Sequence, residues 1–88
     1  MSRQIVPGGK YLHFKNKLYQ VLAIAKHTET GEPMVVYQAL YGGYGVYVRP
    51  YEMFASEVDR AKYPDVKQRY RFTQVRPTET GLELLEER

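Results

Sequence analysis

Two histidines, a few carboxylates and one well-placed arginine hold most of the chemical capacity of this sequence. His27 opens the stretch HTETGEP, in which Thr28, Glu29, Thr30 and Glu32 place two hydroxyls and two carboxylates beside an imidazole. Imidazole titrates near neutrality, so His27 with Glu29 or Glu52 could act as an acid–base pair. Residues i and i+2 of a strand share a face, which would let His27 approach Glu29 if the extended backbone continues that far. Turn chemistry explains the stretch more simply: the Thr28 and Thr30 hydroxyls satisfy backbone groups while Glu29 and Glu32 face water.

The second group is Arg49-Pro50-Tyr51-Glu52-Met53-Phe54. An arginine at a strand end, followed by a rigid turn and a carboxylate, can pair with Glu52 or Glu29. It can also present its fork to an anionic ligand. Tyr37, Tyr41, Tyr44 and Tyr47 beside Arg49, and Lys67, Arg69, Tyr70 and Arg71 further on, combine aromatic faces with cations, as in small barrels that hold single strands. The same tyrosine stripe also suits cross-strand packing. Candidate ligand-binding residues are therefore His13, His27, Thr28, Glu29, Thr30, Tyr37, Tyr41, Tyr47, Arg49 and Glu52, with His27, Glu29 and Glu52 as the catalytic alternative.

Metal binding and cofactor binding are not expected. His13 and His27 lie far apart on one hairpin, on the order of 23 Å if the strand is straight. Phosphate-binding loops, GxGxxG, HExxH and GxSxG are missing. Gly42-Gly43-Tyr44-Gly45 follows a strand without opening a helix, so it reads as a tight connection.

These groups must be positioned by a small scaffold. At 88 residues the chain is one domain, and without cysteine it has no disulfide, thiolate nucleophile or Cys-ligated zinc. Residues 1–76 hold 12 Lys/Arg against 6 Asp/Glu, or +6, while residues 77–88 hold 1 against 4, or −3. A basic body favours anionic partners, although this density is also ordinary for a solvated surface. The start, MSRQIVPGGK, lacks a signal-like apolar run, and no segment approaches the roughly 20 apolar residues that span a bilayer. A cytoplasmic protein without membrane contact is expected.

Lys10 to Lys15 and Leu18 to Ala25 read as a hairpin around Asn16-Lys17. That turn would pair Phe14 with Tyr19, His13 with Gln20 and Leu12 with Val21, and would put Leu12, Phe14, Tyr19 and Val21 on the core face. Residues 34–41, 46–49 and 70–75 are further strands. Pro50 ends one of them and leaves room for a short helical turn. The prediction is a mainly β fold: a small antiparallel SH3-like barrel or strongly curved sheet of about five strands over residues 1–76. An open α+β sheet with a helix in 51–68 is the alternative. Thr80, Glu83 and the leucines of residues 77–88 suggest an acidic tail that is a short helix or disordered. The tetrapeptide TETG occurs at 28–31 and 78–81 with unlike flanks, which reads as chance.

Five blocks together, KYLHFK at 10–15, YQV at 19–21, AKHTET at 25–30, VVYQALYG at 35–42 and VRPYEMF at 48–54, resemble a small bacterial family catalogued as domain of unknown function 1653. The resemblance covers residue 8 to about residue 72. It implies a compact, freestanding, cytoplasmic β-rich protein and no particular activity. Its pattern includes His13, His27, Thr28, Glu29, Thr30, Tyr37, Arg49 and Glu52. Residues 55–69 depart from the pattern by being longer and more basic.

The leading functional expectation is a non-enzymatic binding module for an anionic ligand, with single-stranded nucleic acid foremost. The alternatives are a small enzyme or accessory domain using His27, and an interaction or oligomerising module using Tyr44 and Tyr47 on a strand edge.

Overall fold

Alternating β-branched and aromatic residues resolve into six antiparallel strands in the computed structural model, which describes residues 3–85. The strands are β1 (Lys10–His13), β2 (Lys17–Lys26), β3 (Pro33–Ala39), β4 (Val46–Pro50), β5 (Phe72–Thr78) and β6 (Gly81–Leu84). One helical turn, α1 (Tyr51–Phe54), follows β4 directly. The sheet order is β4-β3-β2-β1-β5-β6, so β4 and β6 are edges and the sheet is open rather than a closed barrel.

The sheet is nonetheless strongly curved. Neighbouring strands lie about 4.8 Å apart, so β3 and β5, three positions apart, would be separated by roughly 14 Å in a flat sheet. Yet the rings of Tyr37 on β3 and Phe72 on β5 are 5.6 Å apart, and the Arg49 guanidinium of edge strand β4 lies 6.0 Å from the Phe72 ring. The concave face wraps a core of Tyr11, Val21, Val35, Tyr37, Phe54 and Phe72, with Ile5 from the N-terminal segment. Phe54 of α1 stacks on Phe72 at 4.1 Å and 6°.

The β1–β2 register differs from the expected one. Tyr11 pairs with Tyr19, Leu12 with Leu18 and His13 with Lys17, so the loop is Phe14-Lys15-Asn16 rather than Asn16-Lys17. Asn16 takes φ 65 at the last loop position, and its N–H donates to the His13 carbonyl at 2.8 Å. The register moves by an odd number of residues, which exchanges the faces of β1. Tyr11, at 1% exposure, enters the core in place of Leu12. Because a left-handed backbone costs an ordinary residue about 1 kcal/mol, Asn16→Ala is expected to lose about that much stability while Asn16→Gly does not. Urea midpoints of the two variants check this.

A bulge between Val21 and Ala23 leaves Val21 held on both sides. It faces Tyr37 across β3, and its backbone bonds Gly8 and Gly9 at 2.8 and 2.9 Å. Gly9 leaves little room for a side chain, since a Cβ there would meet the Val6 carbonyl oxygen at 3.0 Å and the Tyr11 ring at 3.1 Å.

Two further expectations change. Residues 55–71 form turns and one isolated bridge, Glu57 to Tyr70, rather than a helix; buried Val58 anchors them, its N–H donating to the Arg69 carbonyl. The first part of the tail is strand, not helix or disorder: β6 pairs with β5, joining Arg76 to Glu83 across the hairpin. Eight residues alone hold a helix poorly, whereas a hairpin supplies partners. Residues 86–88 of that tail lie outside the described residues. Both TETG copies close hairpins, with Gly31 at φ +75 and Gly81 at φ +145. Among the described residues no helix is long and apolar enough to cross a membrane.

Candidate functional site

Curvature carries the end of β1, the edge strand β4, the residue preceding β5 and the 59–63 turn to one place. They enclose a cleft of about 320 Å³ lined by His13, Phe14, Lys15, Arg49, Asp59, Lys62, Tyr63 and Arg71. Arg49 shares the inner face with Val35, its partner on β3, and with Tyr37. Its Nε donates to the buried Tyr37 hydroxyl at 3.2 Å, which aims the guanidinium across the core edge toward Phe72. Arg71 is set by Ser56, whose carbonyl accepts the Arg71 N–H at 2.9 Å and whose Oγ accepts Nε at 3.3 Å. Lys15 and Lys62 lie 5.5 and 5.7 Å from the Tyr63 ring, and the rings of Tyr63 and Phe14 are 4.9 Å apart.

The electrostatics of the cleft are one-sided. Among the described residues, no carboxylate lies within ion-pair distance of Lys15, Arg49, Lys62 or Arg71. The cleft's own carboxylate, Asp59, is occupied by the turn: Oδ1 accepts the N–H groups of Ala61 and Lys62 at 3.0 and 3.4 Å. His13 registers the imbalance. Its pKa is lowered from 6.5 to about 4, first by burial and then by the charges of Arg71, Lys15 and Arg49. Near neutral pH the ring is uncharged, and its Nδ1 accepts the Lys15 N–H at 3.0 Å. That assigns the ring proton to Nε2.

A band of tyrosines adjoins the cleft. Around Phe72 stand His13 at 4.9 Å, Tyr19 at 5.5 Å and Tyr37 at 5.6 Å, ring to ring. Tyr19 and Tyr41 share a 2.5 Å hydrogen bond, and burial together with that bond pushes the Tyr19 hydroxyl above the usual phenol range. Tyr47, half exposed, continues the band 5.9 Å from Tyr37.

His13, Tyr37, Tyr41, Tyr47 and Arg49 thus share one neighbourhood. The HTET residues serve a separate task in the β2–β3 turn. His27 Nδ1 accepts the N–H of Glu29 at 3.1 Å and of Thr30 at 3.4 Å, and Thr30 Oγ1 accepts the Glu32 N–H at 3.2 Å. Backbone bonds from His27 to Glu32 and from Gly31 to His27 close the turn, with Thr28, Glu29 and Thr30 exposed. Glu52 is exposed on α1 and borders a different hollow, with Arg3, Ser56, Glu57, Arg69 and Tyr70. Ion pairs from Arg49 to Glu29 or Glu52 do not form among the described residues.

Sequence reasoning passed over Lys15, Tyr19, Asp59, Lys62, Tyr63 and Phe72, and noted Arg71 without joining it to Arg49. No local pattern links these positions; only the curvature does. Among the described residues no three His, Cys, Asp or Glu side chains cluster as metal ligands.

No curated protein and no solved structure matches the chain. Residues 9–74, which hold β1 to β4, α1, the cleft and the tyrosine band, match the model of the family described as Protein of unknown function (DUF1653), and the chain belongs to that family.

Proposed function

We propose that this protein is a non-enzymatic binding module for an anionic ligand, with single-stranded nucleic acid as the ligand class. The supporting observation is the set of four cations, Lys15, Arg49, Lys62 and Arg71, gathered in one cleft without a pairing carboxylate among the described residues. Cations held so close repel one another unless an anion joins them. The neighbouring rings of Phe14 and Tyr63, and exposed Tyr44 and Tyr47 at the sheet edge, suit base stacking beside those charges. The open sheet then acts as an SH3-like small barrel would, with the ligand at its curved face in a bacterial cytoplasm. A proton-transfer role for His13 fits less well. With its pKa near 4 and Nδ1 committed to the loop, it is a hydrogen-bond donor rather than a base near neutral pH.

Titration of a labelled strand of about ten nucleotides over a series of salt concentrations tests the reading. Contact with three phosphates gives a slope of about −2 for log affinity against log salt. Arg49→Gln is expected to weaken binding about fivefold, the scale of one charge-assisted contact. Absence of binding even at low salt would sink the proposal.

A further inference from the structure

The cleft also specifies the kind of anion it suits, an inference that rests on the binding reading above. Arg49, Arg71, Lys15 and Lys62 bring a formal charge of +4 against −1 from Asp59, whose Oδ1 is already taken by the turn. A diester phosphate in the middle of a strand would neutralise one of the three surplus charges. A monoester dianion neutralises two and offers three terminal oxygens to donors. The volume of about 320 Å³ is at the small end for ligand pockets, fitting one terminal group and its sugar better than a run of strand.

His13 adds direction to this charge. Its Nδ1 accepts from Lys15, so Nε2 carries the proton, and Nε2 has no hydrogen-bond partner among the described residues. Among the described residues no buried side-chain nitrogen or oxygen is left unsatisfied, so this N–H reaches solvent from the cleft wall. A neutral N–H beside two guanidinium forks is a ready set of donors for phosphate oxygens.

We propose that the cleft binds a phosphate monoester, at the end of a nucleic-acid strand or on a nucleotide, with Arg49, Arg71 and the Nε2–H of His13 as its direct donors. Lys15 and Lys62 add charge, and Phe14 and Tyr63 take the adjoining base. A bound dianion opposes the charges of Arg71, Lys15 and Arg49 that now suppress the His13 imidazolium, so binding raises the pKa of His13.

The test uses the full chain and one labelled strand made with a 5′-phosphate, a 3′-phosphate, or hydroxyls at both ends. Adenosine monophosphate and inorganic phosphate serve as competitors, and the His13 ring resonances are followed across pH. One phosphorylated strand is expected to bind about tenfold more tightly than the hydroxyl-ended strand, a gap of about 1.4 kcal/mol. Arg71→Gln removes that gap, and Lys62→Gln, at an exposed position, narrows it if the Arg71 variant does not fold. Competition by adenosine monophosphate alone assigns the site to nucleotides and strand ends, while equal competition by inorganic phosphate assigns it to the phosphate group itself. Equal affinity for all three strands, with the His13 titration unmoved, overturns the monoester assignment and leaves the broader anion-binding reading standing. No binding by any strand or competitor overturns both.

Discussion

Replacing Phe72 with alanine is expected to remove about 3–5 kcal/mol of folding stability. A domain of this size has about 5–10 kcal/mol in total, so the variant is largely unfolded or close to it at room temperature. Phe72 is 1% exposed and stacked face to face on Phe54, with His13, Tyr19 and Tyr37 presenting edges around it. These partners come from β1, β2, β3 and α1, so the ring is where the ends of the curved sheet meet. Truncation leaves a cavity that the surrounding rings cannot fill, because each is tethered to a different element of the fold. The control is Leu82→Ala on edge strand β6, where the side chain is 46% exposed and a change within about 0.5 kcal/mol is expected. Urea denaturation followed by far-ultraviolet circular dichroism separates the two. A loss below about 1 kcal/mol for Phe72→Ala would mean that the ring does not hold the curvature.

The same ring shows what can and cannot be read from the chain. Strand β3 is legible because buried Val35, Tyr37 and Ala39 alternate with less buried residues, while β4 and β5 are legible from short runs rich in β-branched and aromatic residues, local properties of each segment. The β1–β2 register is not legible, because Asn16 fits either the first position of a two-residue turn or the last of a three-residue one. Tertiary packing decides: the chosen register buries Tyr11, whose ring meets Phe54 edge-on at 5.5 Å, and leaves Leu12 half-buried. The tail hairpin fails for a related reason, since its strand alternation is short and a capping pattern overlies it. Within the site, Arg49 and Tyr37 are legible as a strand-end arginine with aromatic company. Their connection to Arg71 and Lys62 is not, because 22 and 13 residues of chain separate Arg49 from those positions and only bending of the sheet closes the distance. HTET carries the opposite lesson: a stretch rich in functional groups uses its imidazole as a turn acceptor, a task usually given to Asp, Asn, Ser or Thr.

The second large effect concerns pH and the same cleft. In the unfolded chain His13 takes up its proton near pH 6.5; in the folded chain it resists until about pH 4, because burial and the charges of Arg71, Lys15 and Arg49 oppose the imidazolium. Above pH 6.5 both states hold the neutral ring and His13 has no effect on stability. Between those two values the unfolded state binds more protons, so stability falls as pH falls, and below about pH 4 the loss is complete. The full shift would correspond to about 3 kcal/mol. The ring is half-buried and water screens part of the repulsion, so about 2 kcal/mol is the expected loss. Urea denaturation at about pH 7, 5.5 and 4.5 on the native chain and on His13→Gln isolates the contribution, since glutamine can still accept the Lys15 N–H without titrating. The variant is expected to lose less stability over this range by about 2 kcal/mol, and parallel losses in the two proteins would remove His13 as the cause. A bound anion reverses the balance, because it compensates the same three cations that the imidazolium must face. Ligand protection against unfolding therefore grows as pH falls through the raised pKa of His13 in the complex toward about 4, provided the ligand keeps its negative charge.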